Sequence, residues 1–126
     1  MHPFRAAIEA RDIDAAVALL AEDVVFRSPV VFKPYSGRPA VRVILQAVIQ
    51  VFEDFSYQRE IGAEGAADHA LVFQTRVGGK QVEGCDFLHT REDGLIDDFT
   101  VMVRPLSGVL ALAEAMNAKL SAPSDA

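Results

Sequence analysis

The sequence is poor in cysteine, in basic residues and in long apolar runs, and each shortage excludes a class of protein. The single cysteine, Cys85, cannot form a disulfide within the chain. No uninterrupted apolar stretch approaches the roughly 18–20 residues that span a bilayer. The first residues lack the apolar core and cleavage site of a secretory signal peptide. We therefore expect a cytoplasmic protein that does not enter a membrane.

The charge balance argues against polyanionic partners. Twelve lysines and arginines face 18 aspartates and glutamates, and the net charge is −6. Such a chain does not attract phosphate backbones or anionic lipid over its surface, so neither nucleic acid nor a membrane is predicted as a partner. The sequence also lacks a phosphate-binding glycine loop and a G-x-S-x-G elbow, so nucleotide-binding and hydrolase functions have no support, and we predict no cofactor.

The chain has enough apolar residues for one domain with a substantial core. Of its 126 residues, 51% are hydrophobic. No repeat or internal linker divides it, so we predict a single domain over residues 1–120. The last residues, SAPSDA at 121–126, are predicted to be a disordered tail.

Helical periodicity predicts four helices. Two lie within residues 4–23, and the pair Asp12 and Asp14 predicts a break between them, with one aspartate capping the second helix. The third, from about Arg38 to Glu53, is apolar over most of its circumference and is therefore expected to be covered on several sides. The fourth lies within residues 105–120.

Runs of β-branched and aromatic residues predict a meander of strands. A first strand lies within residues 24–32, where Pro29 confines it to an edge or an irregular stretch. Four more are predicted at 55–61, 70–77, 81–91 and 95–104. Helices segregated from strands in this way indicate an α+β fold. A strongly curved, mainly antiparallel sheet wrapped around the long helix would enclose a conical cavity.

One residue breaks the strand pattern: Asp86, in the run VEGCDFLHT at 82–90. Aspartate is depleted in strand interiors, and strand alternation puts Asp86 on the same face as Val82 and Leu88. In one interpretation Asp86 is structural, paired with an arginine such as Arg76 or bonded to backbone amides. In another it lines a pocket as an acid whose pKa is raised by burial. A simple solvent-exposed position is the remaining alternative.

Other polar side chains are poorer candidates for a site. Cys85 and His89 share a strand face but lie about 13 Å apart along it, too far to chelate one ion, so no metal site is predicted. Tyr57 shares the parity of Phe55 and is assigned to the core. Tyr35 either closes over a cavity mouth or packs on Pro34 in a surface loop.

Three segments, taken in order, resemble the nuclear transport factor 2-like superfamily, which includes SnoaL-like proteins and ketosteroid isomerases. They are ARDIDAAVALLAEDVVF, YSGRPAV at the start of the long helix, and DFLHTREDGLIDDF. The resemblance covers residues 4–104. It implies a cone of helices closed by a bent sheet, a small-molecule pocket, and a homodimer formed through the outer face of the sheet.

The resemblance also implies a role for Asp86. In ketosteroid isomerases a carboxylic acid on this strand stays protonated and donates a hydrogen bond to the developing oxyanion. Their general-base aspartate corresponds to Ser28, and their two tyrosines correspond to about Phe4 and Leu45, so isomerisation by their mechanism is not predicted. In limonene-epoxide hydrolase, another relative, an arginine stands at the position of Gly84.

We therefore hypothesise a pocket protein for a small, largely apolar organic ligand, with Asp86 as general acid or hydrogen-bond donor if the protein is an enzyme. Isomerase, cyclase, dehydratase and epoxide-hydrolase chemistry all stay open. The alternative is a non-catalytic dimerisation or protein-interaction module whose cone is filled by its own side chains. The residues predicted to contact the ligand are Phe4, Phe26, Ser28, Tyr35, Leu45, Leu71, Phe73, Phe99, Val101 and Val103.

Overall fold

The structure, a computed structural model, describes residues 1–121. The helices are α1 (Pro3–Glu9), α2 (Ile13–Ala18), α3 (Arg38–Val51) and α4 (Leu106–Ser121). The strands are β1 (Leu20–Arg27), β2 (Tyr35–Ser36), β3 (Glu53–Ile61), β4 (Asp68–Val77), β5 (Lys80–Thr90) and β6 (Ile96–Arg104). Ser121 ends α4, and the rest of the predicted tail lies outside the described residues.

The first two helices are short, and each begins at a side-chain cap. His2 accepts the N–H of Phe4 at the start of α1, and Asp12 accepts the N–H of Ala15 at the start of α2. These bonds satisfy backbone donors that have no partner within the helix. The predicted break and aspartate cap are therefore confirmed. In the described part of the chain, no helix combines the length and the apolarity that crossing a bilayer requires.

The six strands form one sheet in the order β2-β1-β6-β5-β4-β3. All neighbours are antiparallel except β1 and β6, which run parallel. The first strand ends at Arg27, before Pro29, and residues 28–34 form a loop that leads to β2. The curved sheet, which does not close, and the helices packed on its inner face confirm the predicted α+β cone.

The core lies between the inner face of the sheet and the four helices. Helix α4 packs on α3 and on β4, β5 and β6. The largest side chains with almost no exposed surface are Phe4, Phe73, Leu20, Leu71, Leu88 and Ile96. Burying a side chain of this kind stabilises the fold by roughly 1.5–3 kcal/mol. The outer face of the sheet leaves apolar side chains in solvent, with Phe87 42% and Met102 60% exposed.

Gly84 on β5 makes room for an aromatic ring of the core. It pairs with Phe73 on β4, and a Cβ atom added at Gly84 would lie 2.2 Å from Cζ of Phe73. Real Cβ atoms do not approach a ring carbon so closely, because van der Waals repulsion holds non-bonded carbons about 3.5–4.0 Å apart. The absence of a side chain at Gly84 therefore lets the Phe73 ring lie against the sheet.

Candidate functional site

The inner face of the sheet and helices α1, α3 and α4 surround a cavity of about 610 Å³. Its wall is mostly aliphatic and aromatic. Pockets that bind small molecules are typically about 300–1,000 Å³, so this space has the size of a ligand site. A cone filled by its own side chains would leave no such space. The cavity therefore argues against a cone that is filled by its own side chains.

Most of the residues predicted to contact a ligand line this cavity. They are Phe4, Phe26, Ser28, Tyr35, Leu45, Phe73, Phe99 and Val101. The Phe99 ring meets the rings of Phe4 and Phe26 edge to face, with both centroid distances 5.0 Å. This arrangement is favourable for aromatic pairs and gives one side of the cavity a rigid aromatic wall.

Two of the predicted residues, Leu71 and Val103, do not line the cavity. Leu71 is fully buried on β4, directly opposite Asp86 on β5, where it is covered by the side chains around it. Val103 lies near the end of β6, just before the chain turns into α4, which packs on this strand. Strand alternation predicts that both side chains point to the inner face of the sheet. It does not predict whether a side chain on that face packs in the core or lines the cavity.

Asp86 projects into the cavity from the inner face of β5 and is only 6% exposed. Its Oδ2 accepts a hydrogen bond from the hydroxyl of Tyr57, with an O–O distance of 2.8 Å. Arg76, the arginine considered as a structural partner, instead forms an ion pair with Asp54. Within residues 1–121 Tyr57 is the hydrogen-bond partner of the Asp86 carboxyl, so the predicted pairing of Asp86 with an arginine such as Arg76 was wrong.

The two members of this pair stand on strands that are not neighbours. Tyr57 pairs with Phe73 across β3 and β4, and Leu71 pairs with Asp86 across β4 and β5. Neighbouring strands are about 4.8 Å apart, so the backbones of β3 and β5 are separated by roughly 10 Å. The hydrogen bond therefore passes over β4, and the length of the tyrosine side chain bridges the gap.

Burial controls the protonation of the pair. Burial raises the pKa of Asp86 to about 7 from its ordinary value of 3.8, although the hydrogen bond from Tyr57 acts in the opposite direction. Burial also raises the pKa of Tyr57, and the Asp86 charge and hydrogen bond raise it further, so the phenol stays protonated. Asp86 can therefore hold or release a proton near neutral pH, as acid–base groups in active sites do.

Tyr57 is 6% exposed and packs in the core, as its parity with Phe55 predicts, but the sequence pattern gives no sign of its hydrogen bond to Asp86. The pairing of β3 with β4 shifts register twice, between Glu53 and Ser56 and between Tyr57 and Arg59. Phe55 and Tyr57 nevertheless both point into the cavity, so the bond was not predicted because it passes over an intervening strand. The remaining cavity residues that were not predicted come mainly from the helices and the cavity mouth: Ile8, Glu9, Arg11, Pro29, Val30, Val31, Ile44, Val48, Ile49, Phe52, Asp54, Phe55, Ser56, Leu112, Ala113, Met116, Asn117 and Leu120.

The histidine and cysteine of β5 lie on the outer face of the sheet, away from the cavity. His89 Nδ1 is 2.7 Å from Oδ1 of Asp97, and Cys85 is half-buried. The pairing of β5 with β6 shifts register next to His89, which places Asp97 beside that histidine rather than in the cavity. Among the side chains of residues 1–121, no three potential metal ligands converge.

Known proteins resemble the chain in both sequence and structure. A steroid delta-isomerase from Pseudomonas aeruginosa is 44% identical, with a TM-score of 0.87, over 92% of this chain and 85% of that one. An uncharacterized bacterial protein with a cystatin-like fold from Silicibacter pomeroyi DSS-3 is 41% identical, with a TM-score of 0.88, over 99% and 89% of the two chains. A putative ketosteroid isomerase from Kribbella flavida DSM 17836, 21% identical over 82% and 73% with a TM-score of 0.67, shares the fold.

No curated protein matches the chain. Residues 2–99 match the SnoaL-like domain. That match covers most of the chain and includes Asp86, Tyr57 and the aromatic wall around Phe99. The order of helices and strands agrees with it. The chain therefore belongs to the SnoaL-like family, within the nuclear transport factor 2-like superfamily.

Proposed function

We propose that this protein binds a small, largely apolar molecule carrying a ketone or similar oxygen acceptor, and that neutral Asp86 donates a hydrogen bond to that oxygen. The observation that carries the proposal is the Tyr57–Asp86 pair on the wall of an otherwise apolar cavity of about 610 Å³. Pockets of this kind use a few placed polar groups to orient an apolar ligand.

In the proposed complex each oxygen of Asp86 has a distinct task. Tyr57 donates to Oδ2 of Asp86, which leaves Oδ1 to carry the proton and to donate it to the ligand. Below about pH 7 the acid is neutral and attracts a carbonyl oxygen, whereas above that pH the carboxylate repels it. If a reaction places negative charge on that oxygen, the same hydrogen bond strengthens in the transition state and lowers the barrier.

The test compares two probes of matched size, 2-acetylnaphthalene and 2-isopropylnaphthalene, by equilibrium dialysis. They have the same number of non-hydrogen atoms, and only the first has a carbonyl. A hydrogen bond is worth about 0.5–1.5 kcal/mol, so at about pH 5.5 we expect the ketone to gain roughly 3–10-fold in affinity relative to the hydrocarbon, beyond the difference that hydrophobicity alone gives the two probes. At about pH 8.5 the preference should disappear as Asp86 ionises.

The Asp86→Asn variant should lose the pH dependence of the ketone preference. A matched control is Asp97→Asn, which removes a carboxylate from the outer face of the sheet and should keep it. A ratio of the two affinities that does not change with pH, or no binding of either probe, would count against the proposal. Binding of both with the same pH dependence in Asp86→Asn would show that another group recognises the ketone.

Steroid isomerisation is a second candidate, favoured by the 44% identity to the steroid delta-isomerase from Pseudomonas aeruginosa. Ser28 lines the cavity at the position of the family's base, and a serine hydroxyl does not shuttle protons between carbons near neutral pH. The base would then be Asp86 itself or a water that it polarises. Incubation with a ketosteroid whose double bond is not conjugated to the ketone should produce enone absorbance. The Asp86→Asn variant should abolish this absorbance change. No absorbance change with the native protein would exclude this candidate.

A further inference from the structure

A charged cluster on α1 lies against the ring of Tyr57. The guanidinium carbon of Arg5 is 5.8 Å from the ring centroid, within the range of a cation–π contact. Arg5 Nε lies 3.4 Å from Oε1 of Glu9, and Nη1 lies 3.8 Å from Oε1 of Glu60. Glu60 also accepts the backbone N–H of His2. The guanidinium is thus held beside the phenol from two sides.

We propose that Arg5 is a positioning residue that acts through Tyr57 to set the proton affinity of Asp86, and that Glu9 opposes it. A cation beside the phenol draws electron density from the hydroxyl, so Tyr57 donates a stronger hydrogen bond to the ionised carboxyl. A carboxylate at the same place does the reverse. The inference rests on the proposed function in taking the Tyr57–Asp86 pair as the working groups.

The direction of each influence is clear. Burial and the Asp86 carboxylate raise the pKa of Tyr57 most, Glu9 raises it further, and Arg5 lowers it. Because Arg5 pairs with Glu9, removing the arginine both deletes a cation and leaves that carboxylate uncompensated. Loss of Arg5 therefore weakens the hydroxyl as a donor and makes Asp86 harder to ionise.

Other elements around the pair contribute little charge. Arg11 and Asp54 line the mouth, where the first bonds to the carbonyl of Ile49 and the second pairs with Arg76. Cys85, next to Asp86, points to the outer face. The other described side chains that α3, α4, β4 and β6 contribute to the cavity wall carry no charge: Ile44, Leu45, Val48, Ile49, Phe73, Phe99, Val101, Leu112, Ala113, Met116, Asn117 and Leu120.

The test is the titration of the Asp86 carboxyl carbon by ¹³C NMR, which needs no ligand. Its signal is identified by its loss in Asp86→Asn. We expect Arg5→Met to raise the midpoint by roughly 0.5–1 pH unit and Glu9→Gln to lower it by a similar amount, since nearby charges shift carboxyl pKa values by this much or more. Opposite shifts are diagnostic, because loosened packing would move both variants in one direction.

Two controls separate a local charge effect from a general one. Arg42→Met removes an arginine that pairs with Asp14, away from the cavity, and should leave the midpoint unchanged. Arg5→Lys keeps the charge and should stay close to the native value. In a Tyr57→Phe background, the shift caused by Arg5→Met should fall by at least half if the effect passes through the phenol.

Equal midpoints in Arg5→Met, Glu9→Gln and the native protein would overturn the inference, as would shifts of the same sign. A full-sized shift in the Tyr57→Phe background would overturn the route through the phenol. If Arg5→Met does not fold, Arg5→Gln, whose amide can still bond to Glu9, replaces it. If the probes do not bind as expected but the NMR midpoints shift as described, the proposed function is rejected and this inference stands. If the probes bind as expected but the midpoints do not shift, only this inference is rejected.

Discussion

Tyr57 and Asp86 are hydrogen-bonded over an intervening strand, from β3 across β4 to β5. A cross-strand pair on adjacent strands depends on one register, whereas this pair depends on two. Both registers must be correct before the hydroxyl reaches the carboxyl. The pair is therefore a sensitive indicator of the native sheet, and each of its members can be tested by substitution.

Stability should depend on pH through Asp86. Between its ordinary pKa of 3.8 and the native value of about 7, the unfolded chain is ionised at this residue while the native protein is protonated. The native state then binds more protons, so its stability falls as pH rises through this window and becomes constant above it. Relative to Asp86→Asn, the native protein should lose on the order of 2–4 kcal/mol between about pH 4 and pH 7.

Urea unfolding of both proteins across this pH range measures the difference. Asn at this position still offers an oxygen to Tyr57 but does not titrate. The difference between the two proteins therefore reports the effect of Asp86 ionisation on stability. A difference that stays constant with pH would show that Asp86 ionises in the native protein as it does in the unfolded chain.

Removing either member of the pair should cost more than removing both. Tyr57→Phe leaves the buried Asp86 without its donor, and Asp86→Leu leaves the Tyr57 hydroxyl without its acceptor. An unpaired buried polar group costs about 1–3 kcal/mol, whereas replacing both partners with apolar groups costs much less. Guanidinium unfolding near pH 5.5 of the two single variants and the double variant should give a coupling of roughly 1 kcal/mol or more. Strictly additive losses would show that the hydrogen bond contributes nothing to stability.

Gly84→Ala should destabilise the protein by about 1–3 kcal/mol, the usual cost of adding a methyl group to a packed core. The new Cβ would overlap the Phe73 ring, which lines the cavity, so probe binding should weaken as well. Thermal or urea unfolding measures the first effect. In a Phe73→Leu background the same substitution should cost little, and an equal cost there would locate the clash elsewhere.

We expect a homodimer in which the outer faces of two sheets pack together. Phe87 and Met102 are exposed on that face, and burial of such side chains drives association. Met102→Asp should therefore shift the protein towards monomer in sedimentation equilibrium. Gln46→Asp, which adds the same charge on the exposed side of α3, should not. A native protein that is monomeric at all concentrations would contradict this expectation.

Local signals explain which elements were predictable. The hairpin between β4 and β5 follows from Gly78 and Gly79, which have positive φ of 55° and 79° and suit a tight turn. Residues 20–23 were assigned to the end of a helix because LLAED continues a helical pattern. In the structure they belong to β1, where Leu20 pairs with Ile96. This contact between residues far apart in the sequence overrides the local helical propensity, and no local sequence pattern predicts it.

In the site too, features with a local sequence signal were predicted and features that depend on distant contacts were not. Asp86 was identified because an acid in an apolar strand face is unusual and strand parity has a period of two. Strand parity places Tyr57 on the inner face, but it cannot predict a contact with a strand two positions away in the sheet, so the bond to Asp86 was not predicted. The helix residues of the wall were missed because an apolar stripe looks the same whether it faces packed side chains or a cavity.

The parallel contact between β1 and β6 has a consequence for how the protein folds. Strands β3 to β6 form a meander in which each strand pairs with its neighbour in sequence, whereas β1 joins this meander only through β6. The Arg27–Asp98 ion pair between β1 and β6 links residues 71 positions apart in the sequence. Contacts of such separation form late. Phe26 and Phe99 also pair between β1 and β6, so the aromatic wall of the cavity exists only after these two strands have paired. We therefore expect the cavity to be completed in the last step of folding, and a chain still lacking β6 to have none.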